Sequence, residues 1–385
     1  MKKKIIIASV LKPTDDVRMY EKFANSIAKC FPNEFEIHIL GAQSNRQSPV
    51  KPSNEQEIQE FFFHPIAQFD RLSSKRFKYS KTFLINVFKI NPSLLIINSP
   101  ELLLAALLVK MKLKIPIIYD VRENYFFNIL YQPTYKNYLR PFLATAVRSL
   151  EHLSRLWIDF YLLAERCYEK EFSFAKGKSE IIENKYKPLS LEFQVRSSEF
   201  KIPSLNFLYT GTISPTYGTI NAIRFVKKIK IYFPESQLVI KGFCADKHYL
   251  KLLKTEAEDC GFINLEISEV PINHQEIIAT FEKADIALLP YLPNKSTENC
   301  IPAKMYEYIA HSLPMVVQKN ALWESICLPC KAALFIDFEE ENIEKLVHDL
   351  AVYPFYSEGN KDFAFWESEE KKLIPIISKY INDEM

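Results

Sequence analysis

Residues able to do polar chemistry gather in a few short stretches of this sequence. The densest is Glu298-Asn-Cys-Ile-Pro-Ala-Lys-Met-Tyr-Glu-Tyr-Ile-Ala-His311. Pro302 suits the first helical position, because its missing N–H would be unpaired there anyway. A helix starting at that point aims free N–H groups and a positive dipole end outward, which favours phosphate. Lys304 lies in its first turn, and Glu307 follows at i+3 on a neighbouring face. A carboxylate there can take two hydroxyls of a ribose. The alternative is a surface ion pair between Lys304 and Glu307, worth under about 1 kcal/mol. A second stretch, Asp120-Val-Arg-Glu-Asn-Tyr125, puts two carboxylates and a guanidinium together. Asp120, Arg122 and Glu123 thus form a candidate acid/base and anion-binding cluster. A third, Lys12-Pro-Thr-Asp-Asp-Val-Arg18, offers Asp16 and Arg18. Helix capping by Asp15 or Asp16 is an equally good reading of that turn.

These stretches need elements to hold them, and the hydrophobic pattern supplies them. Short apolar runs read as strands at 5–10, 35–40, 61–66, 94–98, 115–119, 160–164 and 180–183. A second set lies at 206–210, 237–241, 263–267, 285–289, 314–318 and 333–336. Most are continuously apolar, as in a sheet covered on both faces. Helical patterns alternate with them at 17–31, 81–90, 101–112 and 137–156. They resume at 220–232, 247–259, 275–283, 303–311 and 341–351. Such alternation predicts an α/β chain of two Rossmann-like parallel-sheet domains facing across a cleft. The rhythm breaks at Tyr186–Pro203, between Pro188 and Pro203. The expected division is residues 1–190, a linker at 191–203, a second domain at 204–355, and a last segment at 356–385. The helix of that segment is expected to cross back onto the first domain. In open parallel sheets, ligands bind beyond the carboxyl ends of the strands. That singles out Gly211 and Thr212 after one strand, and Lys241 after the next. Lys241 either pairs with phosphate charge or stands in solvent.

Composition narrows the classes. Only 7 of 385 residues are glycine, so G-x-G-x-x-G and Gly-rich P-loop cradles are excluded. The formal net charge of +2 argues against a bulk nucleic-acid binder. It hides an asymmetry. Residues 1–190 carry 29 Lys+Arg and 19 Asp+Glu, a net of +10; residues 191–385 carry 20 and 28, a net of −8. The basic run Arg71–Lys81 is either a solvated face or a contact for an anionic membrane surface or acceptor. Seven scattered cysteines fit free thiols in a reducing compartment, and Cys327-Leu-Pro-Cys330 lacks a redox context. The start, MKKKIIIASVLKP, reads as a first strand rather than a signal segment. Leu102–Val109 is far short of the roughly 20 apolar residues that a membrane span needs. The expected location is the cytoplasm, including the inner face of the membrane. No Asp-x-Asp pair or histidine spacing suggests a metal.

Several of these stretches together resemble a GT-B-fold glycosyltransferase of the family 4 kind, a group 1 glycosyltransferase. The resemblance runs over nearly the whole chain. It rests on Lys12–Tyr20 leading to Phe35–Gly41, Ile117–Tyr125 (IIYDVRENY) and Phe207–Gly218. Trp366-Glu367 and, most specifically, Ile301–Val317 (IPAKMYEYIAHSLPMVV) complete it. It implies a nucleotide-sugar donor bound mainly by the second domain, with Glu307 on the ribose and the diphosphate near Asn299–Ile301. The acceptor, glycan or lipid-linked, would bind the first domain. It further implies transfer with retention of anomeric configuration in surface-glycan (polysaccharide) synthesis, with no bound metal and no cofactor, the nucleotide sugar being a substrate. Base contacts would be main-chain, near Val270–His274. The sequence departs from the family pattern in three places. Asn299, with Glu298 beside it, stands where a second glutamate is usual. The loop Thr212–Gly218 lacks the usual Arg and Lys. Arg122 replaces a strand-end histidine. Lys241, Lys304 and Arg122 are the candidates to supply the positive charge. Two other readings stay open: a nucleotide-sugar epimerase-like enzyme on the same scaffold, and a silent member that binds a partner glycosyltransferase.

Overall fold

A computed structural model of the chain describes residues 2–43, 61–66, 75–131, 135–188, 204–295, 297–339 and 342–382. The chain divides into two compact units. Met1–Lys187 and Trp366–Met385 form the first; Pro188–Phe365 form the second. The linker expected at 191–203 lies outside the described residues, as do positions 71–74 of the basic run.

The first unit holds a seven-stranded sheet: β1 (Lys3–Pro13), β2 (Phe35–Ala42), β3 (Phe61–Ile66), β4 (Leu94–Ile97), β5 (Ile117–Val121), β6 (Phe160–Leu163) and β7 (Ser179–Ile181). Its order is β3-β2-β1-β4-β5-β6-β7, and every pairing is parallel. The second unit holds six strands: β8 (Asn206–Thr212), β9 (Gln237–Phe243), β10 (Ile263–Ser268), β11 (Ile286–Leu289), β12 (Met315–Gln318) and β13 (Ala333–Ile336). Their order, β10-β9-β8-β11-β12-β13, is again all parallel. Both sheets follow the doubly wound pattern, with a switch point where the order reverses: between β1 and β4, and between β8 and β11. The thirteen strands fall on the thirteen apolar runs. All four residues of β4, β11 and β12 are buried, because helices cover both faces.

The helices follow their patterns less closely. The expected helix at 17–31 is two pieces: a wide π-helical segment, Val17–Ala24, then an α-helix, Asn25–Cys30. Short helices Tyr125–Tyr131 and Ala321–Cys327 were not expected. Two turns of helix give too little repeat for a 3.6-residue period to show. Pro302 is the residue before the helix Ala303–Ala310, not its first. The C-terminal helix Glu367–Asn382 buries Leu373, Ile377 and Ile381 in the core of the first unit. Trp366, fully buried, donates its Nε1–H to Ser26 Oγ (2.8 Å) there.

Candidate functional site

The two units use the carboxyl edges of their sheets differently. In the second unit, helix Ala303–Ala310 descends beside the end of β8. Met305, Tyr306, Tyr308 and Ile309 bury one side of it in the core. A hydrogen bond of 2.7 Å between the hydroxyls of Tyr308 and Thr210 ties it to β8. The helix ends in a reverse turn: Leu313 N–H donates to the Tyr308 carbonyl across Ser312, which stands at φ +51°. These fixtures hold Lys304 and Glu307 over the strand end. Lys304 Nζ lies 2.7 Å from Glu307 Oε2, and His274 Nε2 lies 3.3 Å from Glu307 Oε1. Burial pushes the Glu307 carboxyl up, but Lys304 and His274 outweigh it and hold the group near 2. It is therefore a carboxylate at any neutral pH.

Beneath Lys304 lie two glycines in register. Gly211 of β8 pairs with Gly242 of β9. A Cβ on Gly242 would come within 1.9 Å of the Gly211 carbonyl oxygen; one on Gly211 (φ +110°) would come within 3.1 Å of Lys304 Cε. Gly218, at φ +63°, starts the following helix, where a Cβ would meet the Pro290 carbonyl oxygen at 1.8 Å. Space requires glycine at Gly242, φ at Gly211, and both at Gly218.

Around this centre is a pocket of about 560 Å³. Gly211, Thr212, Lys304 and Glu307 line it. Phe243, Pro271, Ile272 and His274 form one side; Tyr217, Tyr291, Trp323 and Cys300 form another. The second side is braced by ring packing, Tyr217 to Tyr291 at 4.8 Å and Tyr291 to Trp323 at 6.0 Å. Trp323 Nε1–H also donates to the Cys300 carbonyl (2.8 Å). A mostly apolar pocket with a few convergent polar groups is the usual form of a small-ligand site.

Three residues singled out from the sequence do not join this pocket. Lys241 turns away and pairs with Glu266 on β10, at 3.1 Å. Glu298 and Asn299 are exposed and outside the lining. They sit in the turns before the helix rather than in its first turn, so their side chains point to solvent. His274, Tyr217, Tyr291 and Trp323 are the residues that sequence reasoning left out as side-chain contributors. His274 stands at the start of helix His274–Ile278, just past the β10 end, a position that could have flagged it. The aromatics carry no local signal. Cys327 and Cys330 are both buried. Burial pushes the Cys330 thiol to about 11 and Cys327 higher still, away from a reactive thiolate.

In the first unit the predicted cluster pairs with itself. Arg18 and Asp120, each about 1% exposed, form a forked ion pair: Arg18 Nε lies 3.0 and 3.1 Å, and Nη2 2.7 Å, from the Asp120 oxygens. Arg18 Nη2 also donates to the Ile182 carbonyl. Asp16 accepts from Arg122 at 2.8 and 3.1 Å, and from the N–H groups of Arg18 and Met19 as a helix cap. Burial pushes Asp16 up, but Arg122 more than compensates and holds it near 2. Glu123 takes Lys12 (3.2 Å) and Asn128 (3.1 Å). The structure brings Asp16, Arg18, Asp120, Arg122 and Glu123 together, but as mutual partners. Asp120 in particular is a buried anchor for Arg18 rather than an open acid/base, because burial demands that its charge be matched.

No family model and no curated sequence matches this chain. Solved structures do. Sucrose-phosphate synthase from Thermosynechococcus elongatus is similar with a TM-score of 0.71 at 12% identity, over 98% of this chain and 99% of that one. Anabaena HepE in complex with UDP and glucose is similar with a TM-score of 0.67 at 11% identity, over 98% and 100%. UDP-GlcNAc 2-epimerase from Neisseria meningitidis bound to UDP-GlcNAc is similar with a TM-score of 0.61 at 13% identity, over 98% and 100%. Likeness over essentially the full length of each chain, with the doubly wound strand order in both sheets, gives this protein the two-domain α/β architecture of those proteins, the GT-B fold.

Proposed function

We propose that this protein is a glycosyltransferase that takes its donor, a nucleotide sugar, in the pocket of the second unit. The observation that carries the reading is the Lys304–Glu307–His274 cluster over the Gly211/Gly242 pair, at the switch point of a doubly wound sheet. In this reading, Glu307 accepts from two ribose hydroxyls. Lys304 leaves it for the diphosphate, joined by the N–H groups at the start of helix Ala303–Ala310. The apolar side with Phe243, Pro271 and Ile272 takes the base. HepE in complex with UDP and glucose, and the epimerase bound to UDP-GlcNAc, both similar in fold, support a nucleotide sugar as the ligand.

The acceptor is assigned to the first unit as a lipid-linked or polysaccharide glycan, in surface-glycan synthesis on the cytoplasmic side. That assignment, retention of configuration and independence of a metal follow from the family resemblance. The protein's part is then positioning and electrostatic stabilisation of the departing diphosphate. The epimerase of the same fold keeps a second reading open.

Ligand-induced stabilisation tests the core of the proposal. UDP, GDP or ADP at a hundredfold excess over its Kd should add about 2.7 kcal/mol to the native state, seen as a raised melting temperature. No rise with any of them would refute both enzymatic readings. Turnover of the cognate nucleotide sugar separates the two: transfer needs an acceptor, epimerisation does not.

A further inference from the structure

The most pronounced feature without a role lies on the first unit, where helices Lys75–Ile90 and Leu103–Leu113 pack side by side over the sheet. On the second helix Leu104, Leu108 and Met111 are 59%, 50% and 68% exposed. Spaced i, i+4 and i+7, they form one outward stripe. Ile85, on the neighbouring helix, is 57% exposed. Single apolar side chains in water are ordinary, but a stripe continued across two helices marks a surface that meets something.

Charge says what it meets. Lys81, Lys89 and Lys112 are exposed on the same two helices. Lys112 Nζ sits 4.3 Å over the Phe88 ring and links them. From 75 to 114 the sequence has eight cations (Lys75, Arg76, Lys78, Lys81, Lys89, Lys110, Lys112, Lys114) and one carboxylate, Glu101. A second copy is a poor occupant, since a two-fold interface sets this cationic patch against itself. No helix among the described residues is long and apolar enough to cross a membrane. Apolar side chains ringed by lysines fit the boundary between headgroups and acyl chains.

We propose that this face is a docking surface for an anionic lipid bilayer. Leu104, Leu108, Met111 and Ile85 enter the headgroup boundary, and Lys81, Lys89 and Lys112 meet lipid phosphates. The inference deepens the acceptor side of the proposed function, and rests on it for its meaning, since a lipid-linked acceptor would be held in such a bilayer. Docking itself is read without turnover.

The test is co-sedimentation of the full chain with vesicles of phosphatidylcholine alone and of phosphatidylcholine mixed with phosphatidylglycerol. Binding should favour the mixed vesicles by at least about tenfold and weaken at high salt. Two variants, each with its melting temperature checked, read the two halves of the surface. L104S/L108S/M111S and K81E/K89E/K112E should each lower binding to mixed vesicles by about tenfold or more. Absent binding, or binding that both variants keep, overturns the proposal. So does a concentration-dependent dimer abolished by the first variant without vesicle binding. A UDP-induced melting shift in the same preparations reports on the donor site independently, so a failure of docking is distinguishable from a failure of the proposed function.

Discussion

The two sheets share a strand order, yet their carboxyl edges have opposite characters. At the edge of β8–β13, the few polar groups converge on an open pocket: one carboxylate between a lysine and a histidine, over two glycines. At the edge of β1–β7, more charges are present but neutralise one another, as Arg18–Asp120, Arg122–Asp16 and Lys12–Glu123. The number of charged residues near a strand end is therefore a poor guide to a ligand site. What matters is whether their partners lie inside the protein. Fully buried charges must be paired, so the inner members of a cluster become architecture.

Breaking the Arg18–Asp120 pair should have the largest effect. Arg18→Ala leaves an unmatched buried carboxylate and should cost the first unit about 3–5 kcal/mol, read by chemical denaturation. The double replacement R18M/D120L should cost less than either single one. A mild loss for Arg18→Ala would mean that the pair is open to solvent and available to a ligand.

Glu307→Ala is next. Losing even one charge-assisted hydrogen bond worth about 1.5–3 kcal/mol should weaken the nucleoside diphosphate about 10- to 150-fold in a calorimetric titration, and losing both should weaken it further. The protein itself should keep folding, because Glu307 borders a pocket. Unchanged affinity would remove Glu307 from the donor site.

The contrast extends to pH. Glu307 has a folded value near 2 against 4.5 in a free chain. Its stabilisation is present above about 4.5 and fades as pH falls toward 2. Glu151 of the first unit behaves oppositely. Burial raises it to about 7, ahead of the opposing Arg148 charge and the Tyr119 hydrogen bond. Its contribution is complete below about 4.5 and is lost as pH rises through 7. Glu151→Gln, neutral at every pH, should flatten the stability profile of the first unit between pH 5 and 7, a change of about 1–2 kcal/mol. An unaltered profile would show that Glu151 is ionised in the folded state.

Lys241→Ala should do least. Its partner is Glu266 rather than the pocket, so nucleotide affinity should stay within about twofold and stability within about 0.5 kcal/mol. A large loss of affinity would show that Lys241 leaves Glu266 for a ligand.

Much of this was legible in the chain. All thirteen strands could be read, most of them because a doubly covered parallel strand is a short unbroken apolar run between polar turns; the edge strands β7 and β10, half exposed, break that pattern. Glycine scarcity was informative in a further way. Some left-handed positions elsewhere are filled by Asn91, Lys114 and Ser312, side chains that fit there at some strain, and two others by Gly177 and Gly359. Gly211 and Gly242 line the pocket and Gly218 starts the helix after β8, each where a Cβ would strike backbone or Lys304. Lys304 and Glu307 could be nominated from their spacing, since i and i+3 are neighbours on a helix surface whatever the fold.

The sequence by itself determined the strands, their carboxyl ends and the Lys304–Glu307 pair, because these depend on local period and spacing. Only tertiary structure decided which charges are partners and which are free for a ligand. Lys241 is drawn off by Glu266 on the adjacent strand, and Asp120 is matched by Arg18 from 102 residues away. His274 reaches Glu307 from another element, and the aromatic wall joins Tyr217, Tyr291 and Trp323 from separate segments of the chain. Such pairings follow from through-space distance and desolvation, which no spacing along the chain encodes.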